Sequence, residues 1–326
     1  MSVSVRNLKK TFGDIEALKG VSFEVKTGER FGFIGPDGAG KSTLFRILVS
    51  LLLPDSGEAR VVGLDPVTGY IELRRRVGYM PGRFSLYQDL SVEENLTFFA
   101  TIFNTTVAKN YHLIRDIYHQ IEPFKKRRAG DLSGGMKQKL ALSCALVHKP
   151  DILFLDEPTT GVDAVSRREF WDMLDKLKES GLTVLVSTPY MDEASRCDRI
   201  ALMHRGEILE INTPEGISNN FGRDLWAVHA SQRYRLLKIL RAYSHAESVF
   251  AFGEQIHYTD RRHDFDSEEL ESWLASQGLE KVQVKKIRPS VEDALIALIG
   301  REAGGDQSTI MQPGPVYPGP KNGTGA

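Results

Sequence analysis

The sequence predicts an α/β protein with an antiparallel β subdomain, an inserted helical lobe and a small α+β domain toward the C-terminal end. Short apolar runs at residues 30–34 and 152–155 are typical of buried parallel strands. Residues 3–26 alternate apolar and polar positions, which indicates antiparallel strands with a turn at residues 12–14. A helical period then dominates from residue 93 to about 128 and predicts the lobe, placed at about residues 83–140.

A glycine-rich turn between a buried strand and a helix is the central motif. It has the pattern G-x-x-x-x-G-K-[ST], and its glycines let backbone N–H groups face phosphate oxygens at a helix N-terminus. Lys41 would reach the β- and γ-phosphates, and the Ser42 hydroxyl would ligate Mg²⁺. The sequence therefore predicts a P-loop NTPase fold that binds a nucleoside triphosphate. The predicted contacts are Gly35, Pro36, Asp37, Gly38, Ala39, Gly40, Lys41, Ser42 and Thr43.

Phe12 lies at the turn between the first two predicted strands. An aromatic ring at this place fits two roles equally well, because it can stack on an adenine face or close the core at a strand end. Phe12 is therefore a candidate nucleotide contact with a structural alternative.

Composition excludes several classes of function. The chain has 326 residues, 41% hydrophobic and 26% charged, which leaves room for one large and one small domain. A net charge of -1 gives no general attraction to nucleic acid, so no nucleic-acid partner is expected. Cys144 and Cys197 are far apart in the sequence and lack the spacing of metal ligands, so no disulfide partner is expected. Two such cysteines are typical of a protein in a reducing compartment.

The apolar runs are all too short to cross a bilayer, which takes ~20 residues. The N-terminal residues also lack a charged and then apolar leader. We therefore expect no membrane-spanning helix in this chain, so that any function at a bilayer would need spanning helices from another polypeptide.

A second motif, Ser133-Gly134-Gly135, opens a predicted helix after Leu132. Ser133 is a good N-cap, and the two glycines allow a ligand to approach the backbone closely. The segment is therefore a candidate contact for an anionic ligand.

Paired carboxylates follow the apolar run at residues 152–155. Burying two like charges at the end of a strand is costly without a cation. We therefore expect Asp156 to hold Mg²⁺ and Glu157 to orient or deprotonate the attacking water as the catalytic residue.

With these three motifs in this order, the chain from about residue 3 to 220 resembles the ATP-binding subunit of an ABC transporter, and most closely the ABC-2 type exporter ATPases. Asp163 matches that family's D-loop, and residues 187–194 match its switch loop. The resemblance implies ATP and Mg²⁺ as cofactors and a dimer with a second ABC ATPase subunit, identical or different. In such a dimer, Ser133, Gly134 and Gly135 would contact the partner's ATP.

Three departures from the family pattern stand out. Gly82 replaces the glutamine that contacts Mg²⁺ and water, and Pro189 replaces the switch-loop histidine. Asp37 adds a negative charge where the family has asparagine. The first two losses affect hydrolysis more than binding, and neither Gln88 nor His204 is expected to reach the missing positions.

The region after residue 220 has a β-α-β-β-α-β pattern, which suggests a small ferredoxin-like domain at residues 221–300. By resemblance, it is a dimer-contact or regulatory extension. Residues 301–326 are rich in Gly, Pro, Ser and Thr, which predicts a disordered tail.

Two functions fit the sequence. The first is a subunit that binds ATP and dimerises to drive export through ABC-2 type membrane permease subunits, with an impaired site of its own. The second is a fully active ATPase motor working as a homodimer. Both imply a peripheral location on the cytoplasmic face of the cell membrane. A soluble ABC protein of translation or DNA repair fits poorly, because the chain lacks a second cassette and a basic surplus.

Overall fold

A computed structural model describes residues 1 to 302 of the chain, in two compact units. The first is Met1–Pro214, and the second begins at Glu215. The boundary predicted from the sequence, between residues 220 and 221, lies further along the chain. Of the predicted tail at residues 301–326, residues 301 and 302 belong to the helix Val291–Glu302, and the rest, from residue 303 onward, lies outside the described residues.

The first unit combines strands and helices, as its apolar periodicity predicts. Its elements are β1 Val3–Phe12, β2 Ile15–Val25, β3 Arg30–Ile34, α1 Lys41–Leu48, β4 Ser56–Val61, α2 Tyr70–Arg76, β5 Val77–Met80, α3 Val92–Ile102, α4 Val107–Tyr118, α5 Gly134–Leu146, β6 Ile152–Asp156, α6 Ala164–Glu179, β7 Thr183–Thr188, β8 Arg199–His204 and β9 Glu207–Asn212.

A six-stranded sheet with the order β5-β6-β7-β3-β8-β9 forms the body of this unit. Its strands are parallel except for β9, which pairs antiparallel with β8. Because β3, β6 and β7 are neighbours, their carboxyl ends meet at one edge of the sheet, where ligands bind in open α/β folds. The segments after these three strands therefore come together.

Aromatic packing fixes the phosphate-loop helix onto this sheet. The Phe45 ring, on α1, lies 5.6 Å from Phe33 of β3 and 5.5 Å from Phe154 of β6, edge to face in both cases. All three side chains are fully buried. Edge-to-face pairs add to the free energy gained by burial, so the start of α1 is held firmly at the sheet edge.

An antiparallel sheet with the order β2-β1-β4 completes the body, and α3, α4 and α5 supply the helical lobe. Helix α3 begins with a full capping box, in which Ser91 and Glu94 each accept a hydrogen bond from the other's backbone N–H. The prediction of an α/β fold with an antiparallel subdomain is confirmed.

The second unit is a four-stranded antiparallel sheet with the order β11-β12-β10-β13. Its strands and helices alternate as β-α-β-β-α-β, the ferredoxin-like order. Helix α7, Pro214–Asn219, crosses the boundary between the units by one residue. The other elements of the second unit are β10 Leu225–His229, α8 Arg233–Ala242, β11 Ala246–Phe252, β12 Gln255–Asp260, α9 Ser267–Ser276, β13 Gln283–Ile287 and α10 Val291–Glu302.

Among residues 1–302, no helix is long and apolar enough to span a membrane. Both cysteines are buried and free. Burial raises the pKa of the Cys197 thiol to about 12, and it raises the pKa of Cys144 as well, so both thiols stay protonated.

Candidate nucleotide site

The phosphate loop, Gly35 to Gly40, can be built only with glycine at its tight points. A Cβ atom on Gly35 would lie 2.2 Å from the Met203 carbonyl oxygen, and one on Gly40 would lie 2.5 Å from the Ala17 oxygen. Gly38 and Gly40 also have φ values of 79° and 102°, which side chains rarely tolerate. These close contacts fold the loop around the N-terminus of α1.

Lys41 is buried at the start of α1, with only 3% of its surface exposed. Its ammonium donates hydrogen bonds to the carbonyl oxygens of Gly35 at 2.8 Å and Pro36 at 3.0 Å. It also lies 3.3 Å from the Glu157 carboxylate. The cation is thus held inside the loop, where anionic phosphates would meet it.

Ser42 and Asp156 meet although they are far apart in the sequence. The Ser42 hydroxyl donates to the Asp156 carboxylate at 2.9 Å, and the Ser187 hydroxyl at the end of β7 donates to the same oxygen at 2.6 Å. Hydroxyl and carboxylate oxygens are the ligands that Mg²⁺ prefers, and a P-loop site needs only these two beside the phosphates. Ser42 and Asp156 therefore fit Mg²⁺. Among the described residues, no group of three or more His, Cys, Asp or Glu could hold a metal ion without a ligand such as a phosphate.

Glu157 has an unusual backbone conformation directly after β6, with a φ of 49°. Its N–H donates to the backbone oxygen of Ser187 at 3.0 Å and lies 3.1 Å from the hydroxyl of the same residue. A positive φ in a residue other than glycine costs free energy and is often found at functional sites. In this conformation, the Glu157 carboxylate lies 3.3 Å from the Lys41 ammonium.

A cavity of about 450 Å³ lies over the phosphate loop. Eight predicted site residues line it, namely Asp37, Gly38, Ala39, Gly40, Lys41, Ser42, Thr43 and Glu157. Five more lining residues were missed, namely Ile15, Glu16, Ala17, Lys19 and Arg205. A cavity of this size fits a nucleotide.

The cavity wall also includes residues outside the predicted motifs. Phe12 is 48% exposed and does not line the cavity, whereas Ile15 beyond the turn does. Arg205 comes from the β8–β9 turn, whose Gly206 N–H donates to the Ala39 oxygen at 3.1 Å. The sequence marks this turn as a hairpin but carries no signal of its long-range contact with the loop.

Ser133, Gly134 and Gly135 lie at the N-terminus of α5 and do not line this cavity. The Ser133 side chain caps the helix by accepting from the Met136 N–H, and both Ser133 and Gly134 are exposed. A Cβ atom on Gly135 would lie 2.6 Å from the Ser166 hydroxyl. The exposed helix N-terminus is thus open to a ligand held by another molecule.

Asp163 is the N-cap of α6. Its carboxylate accepts from the N–H groups of Ser166 at 3.0 Å and Val165 at 3.1 Å. These hydrogen bonds, that of Ser166 above all, hold the pKa of Asp163 below its ordinary value. Its contact with a nucleotide stays a prediction.

Gly82 lies against the backbone of the carboxylate pair, and Pro189 follows the strand whose end contacts Asp156. A Cβ atom on Gly82 would lie 3.0 Å from the Asp156 carbonyl oxygen and 3.7 Å from the Glu157 Cβ atom. Pro189 directly follows β7, whose Ser187 contacts Asp156. Neither residue has a polar side chain at its position.

This fold and site define a P-loop nucleotide-binding cassette. A family model described as ABC transporter matches residues 18–160. The chain is 34% identical over 308 residues to a Nod factor export ATP-binding protein I of Rhizobium sp. (strain N33), which covers 93% of this chain and 98% of that protein.

The chain is also 44% identical over 224 residues to the probable multidrug ABC transporter ATP-binding protein YbhF of Escherichia coli (strain K12), over 68% of this chain. It spans only 39% of that relative's length. Among solved structures, an ATP-binding subunit of an ABC transporter matches 68% of this chain and 94% of its own, with a TM-score of 0.62 and 28% identity. A dimeric ATP-binding cassette bound to ADP and Pi matches 65% of this chain and 98% of its own, with a TM-score of 0.59 and 29% identity. The chain belongs to the family of ABC transporter ATP-binding proteins.

Proposed function

We propose that this chain is the ATP-binding subunit of an ABC-2 type exporter whose own hydrolytic site is impaired. It binds Mg-ATP, pairs with a second ABC ATPase subunit and drives substrate export through separate permease subunits. The proposal is supported by relatives that are named for multidrug transport and for Nod factor export. It places the chain on the cytoplasmic face of the cell membrane.

One observation supports the proposed impairment of ATP hydrolysis. The groups for binding, Lys41 and the Ser42–Asp156 pair, are assembled within hydrogen-bond reach of one another. Gly82 lies against the Asp156 backbone, Pro189 follows β7, and neither has a side-chain donor or acceptor to offer the reaction. ATP binding should therefore be retained, while the hydrolytic step lacks two polar side chains that would orient water and accept its proton.

When Mg²⁺ is bound with ATP, it supplies charge neutralisation for the phosphates. In the proposed arrangement, Ser42 and Asp156 hold the ion and Lys41 holds the β- and γ-phosphates. Glu157, which lies next to Lys41, orients the water. With no glutamine at Gly82 and no histidine at Pro189, this carboxylate has no second polar side chain from these two positions to help it orient the water.

The alternative is a fully active motor subunit that works as a homodimer. The intact set of Lys41, Ser42, Asp156 and Glu157 favours it. In that case, both sites of the dimer hydrolyse ATP, and the exposed α5 N-terminus of each copy completes the other's site.

Two measurements on one purified sample separate these functions. Isothermal calorimetry gives the binding of ATP, and single-turnover assays with labelled ATP give the rate of hydrolysis. A median enzyme turns over about 10 times per second. Losing one donor costs about 10²–10³ in rate. We expect one ATP bound per chain and fewer than about 0.1 turnovers per second. Several turnovers per second would establish the active motor instead.

A further inference from the structure

Glu193 is a buried carboxylate with no part in the functions described above. It lies in the 3-10 helix Met191–Arg196 after β7, and only 3% of its surface is exposed. Three donors surround it, with the Thr188 hydroxyl at 2.6 Å, the Thr159 hydroxyl at 2.8 Å and the Arg167 guanidinium at 3.2 Å. A buried carboxylate is tolerated only when it is paired and hydrogen-bonded in this way.

The three donors belong to three segments of the nucleotide site. Thr159 lies two residues after Glu157, in the turn that holds that strained carboxylate. Thr188 is the residue before Pro189. Arg167 lies in the first turns of α6, whose N-cap is Asp163. One side chain thus ties together the catalytic turn, the switch loop and the D-loop helix.

Arg167 extends this connection to the other side of the switch loop. Its guanidinium lies 4.1 Å from the centroid of the Tyr190 ring and forms an ion pair with Asp192 at 3.1 Å. The Tyr190 N–H in turn donates to the Thr188 hydroxyl at 3.0 Å. A planar guanidinium that stacks and pairs at once holds its neighbours in a defined geometry.

Pro189 makes this support more important. Proline has no N–H with which to anchor the loop. The residues on either side, Thr188 and Tyr190, are the ones that connect to Glu193 and Arg167. The anchoring of the loop therefore depends on the contacts of these neighbours.

We propose that Glu193, held by Arg167, is a positioning residue for ATP hydrolysis. It keeps the turn of Glu157 and the Pro189 loop at a fixed separation, so that the Glu157 carboxylate faces the nucleotide. The inference rests on the proposed role of Glu157, and it holds whether that site is impaired or fully active.

The test compares variants of the full chain in single-turnover hydrolysis with labelled ATP, in ATP binding by calorimetry and in thermal unfolding. The variants are Glu193→Ala, Glu193→Gln, Arg167→Met and the double variant Glu193→Ala/Arg167→Met. The control is Arg196→Met, because Arg196 lies on the same 3-10 helix and pairs with Asp172 and Asp175 instead. Its side chain is 31% exposed, close to the 22% of Arg167.

A displacement of about 1 Å at a catalytic group can cost about 10²-fold in rate. We expect Glu193→Ala to lower the rate constant by about 10- to 100-fold, while the Kd for ATP changes by less than about twofold. Glu193→Gln, which keeps one acceptor oxygen, should lose less. The double variant should be no slower than Glu193→Ala alone, because the two residues act as one unit.

Two results would overturn the proposal. One is a rate of hydrolysis that is unchanged in both Glu193→Gln and Arg167→Met. These two variants also test the proposal if Glu193→Ala does not fold. The other is an equal loss in Arg196→Met, which would show general destabilisation. The positioning role of Glu193 is tested by the ratio of the variant's rate to that of the unaltered chain. The absolute rate of the unaltered chain tests separately whether its hydrolytic site is impaired.

Discussion

The Lys41 ammonium lies 3.3 Å from the Glu157 carboxylate. The residue predicted to hold the phosphates and the residue predicted to orient water are thus in direct contact. Ion pairs buried to this extent gain strength because water screens them poorly. A triphosphate bound as predicted would therefore compete with Glu157 for the same cation, which would link the two halves of the site.

Replacing Lys41 with Ala should remove most of the ATP binding. A hydrogen bond to a charged group contributes about 1.5–3 kcal/mol, so we expect affinity to fall by about 10- to 150-fold. Calorimetry of the full chain measures this. Lys178→Ala is the matched control, because Lys178 pairs with Asp198 and does not line the cavity. Unchanged affinity in Lys41→Ala would refute the phosphate-loop assignment.

Restoring side chains at the two departures should speed hydrolysis. We expect Gly82→Gln with Pro189→His to raise turnover by at least about 10²-fold, the effect of one regained donor. A Cβ atom on residue 82 would lie 3.0 Å from the backbone carbonyl oxygen of Asp156, so one of the two segments must shift by a few tenths of an ångström.

The double variant Gly82→Ala/Pro189→His is a control that separates the effect of added side-chain volume at position 82 from the effect of the glutamine amide. This control puts the same Cβ against Asp156 but lacks the glutamine amide, so it should gain less than the full double variant. If the unaltered chain already turns over as fast as Gly82→Gln/Pro189→His, its site is not impaired.

The sequence predicted the parts of the site that are local in the chain. The loop from Gly35 to Thr43 needs only a strand, a turn and a helix, and the carboxylates Asp156 and Glu157 follow directly from one apolar strand. Parallel strand order then brings the two motifs together, as in the Ser42–Asp156 hydrogen bond.

Contacts between distant segments were not predictable. Arg205 reaches the cavity because a hairpin turn docks on Ala39, and Glu193 meets Thr159 across 34 residues. Neither has a spacing signature, since each depends on how whole elements pack. Phe12 does not line the cavity, and its contact with an adenine ring stays a prediction.

His148 should make the first unit less stable in mild acid. Burial lowers the pKa of His148 from its ordinary 6.5, although a hydrogen bond with the Val77 carbonyl opposes this. Below about pH 6.5 the unfolded chain therefore takes up a proton before the folded chain does. Stability should fall from about pH 6.5 downward, toward the lowered pKa.

Urea unfolding of the full chain at pH 7.5, 6.5 and 5.5 measures this loss. His148→Gln keeps a donor for Val77 but does not titrate, so its stability should fall less over the same range. His112→Gln, at an exposed position, should follow the unaltered chain. An identical pH dependence in His148→Gln and the unaltered chain would contradict the assignment.

The last prediction concerns asymmetry between two sites in a complex with a different ATPase. In such a pair, Glu157 of this chain would serve its own impaired site, whereas Gly134 would complete the partner's site. Gly134 is exposed at the N-terminus of α5, and a Cβ atom there lies 3.6 Å from the Gly161 oxygen, an ordinary contact. Gly134→Asp should therefore fold.

Damage at these two places should have unequal effects. Gly134→Asp puts a carboxylate where the helix N-terminus would meet the partner's γ-phosphate, so it should abolish hydrolysis by the complex. Glu157→Gln removes a base from a site that already lacks two helpers, so it should cost little. Gly134→Asn is the matched control, since it has the same shape without the charge and should lose less. ATPase assays on the co-purified pair measure all three variants. A loss in Glu157→Gln as severe as that in Gly134→Asp would mean that this chain's own site does the work, and the active motor would replace the asymmetric subunit.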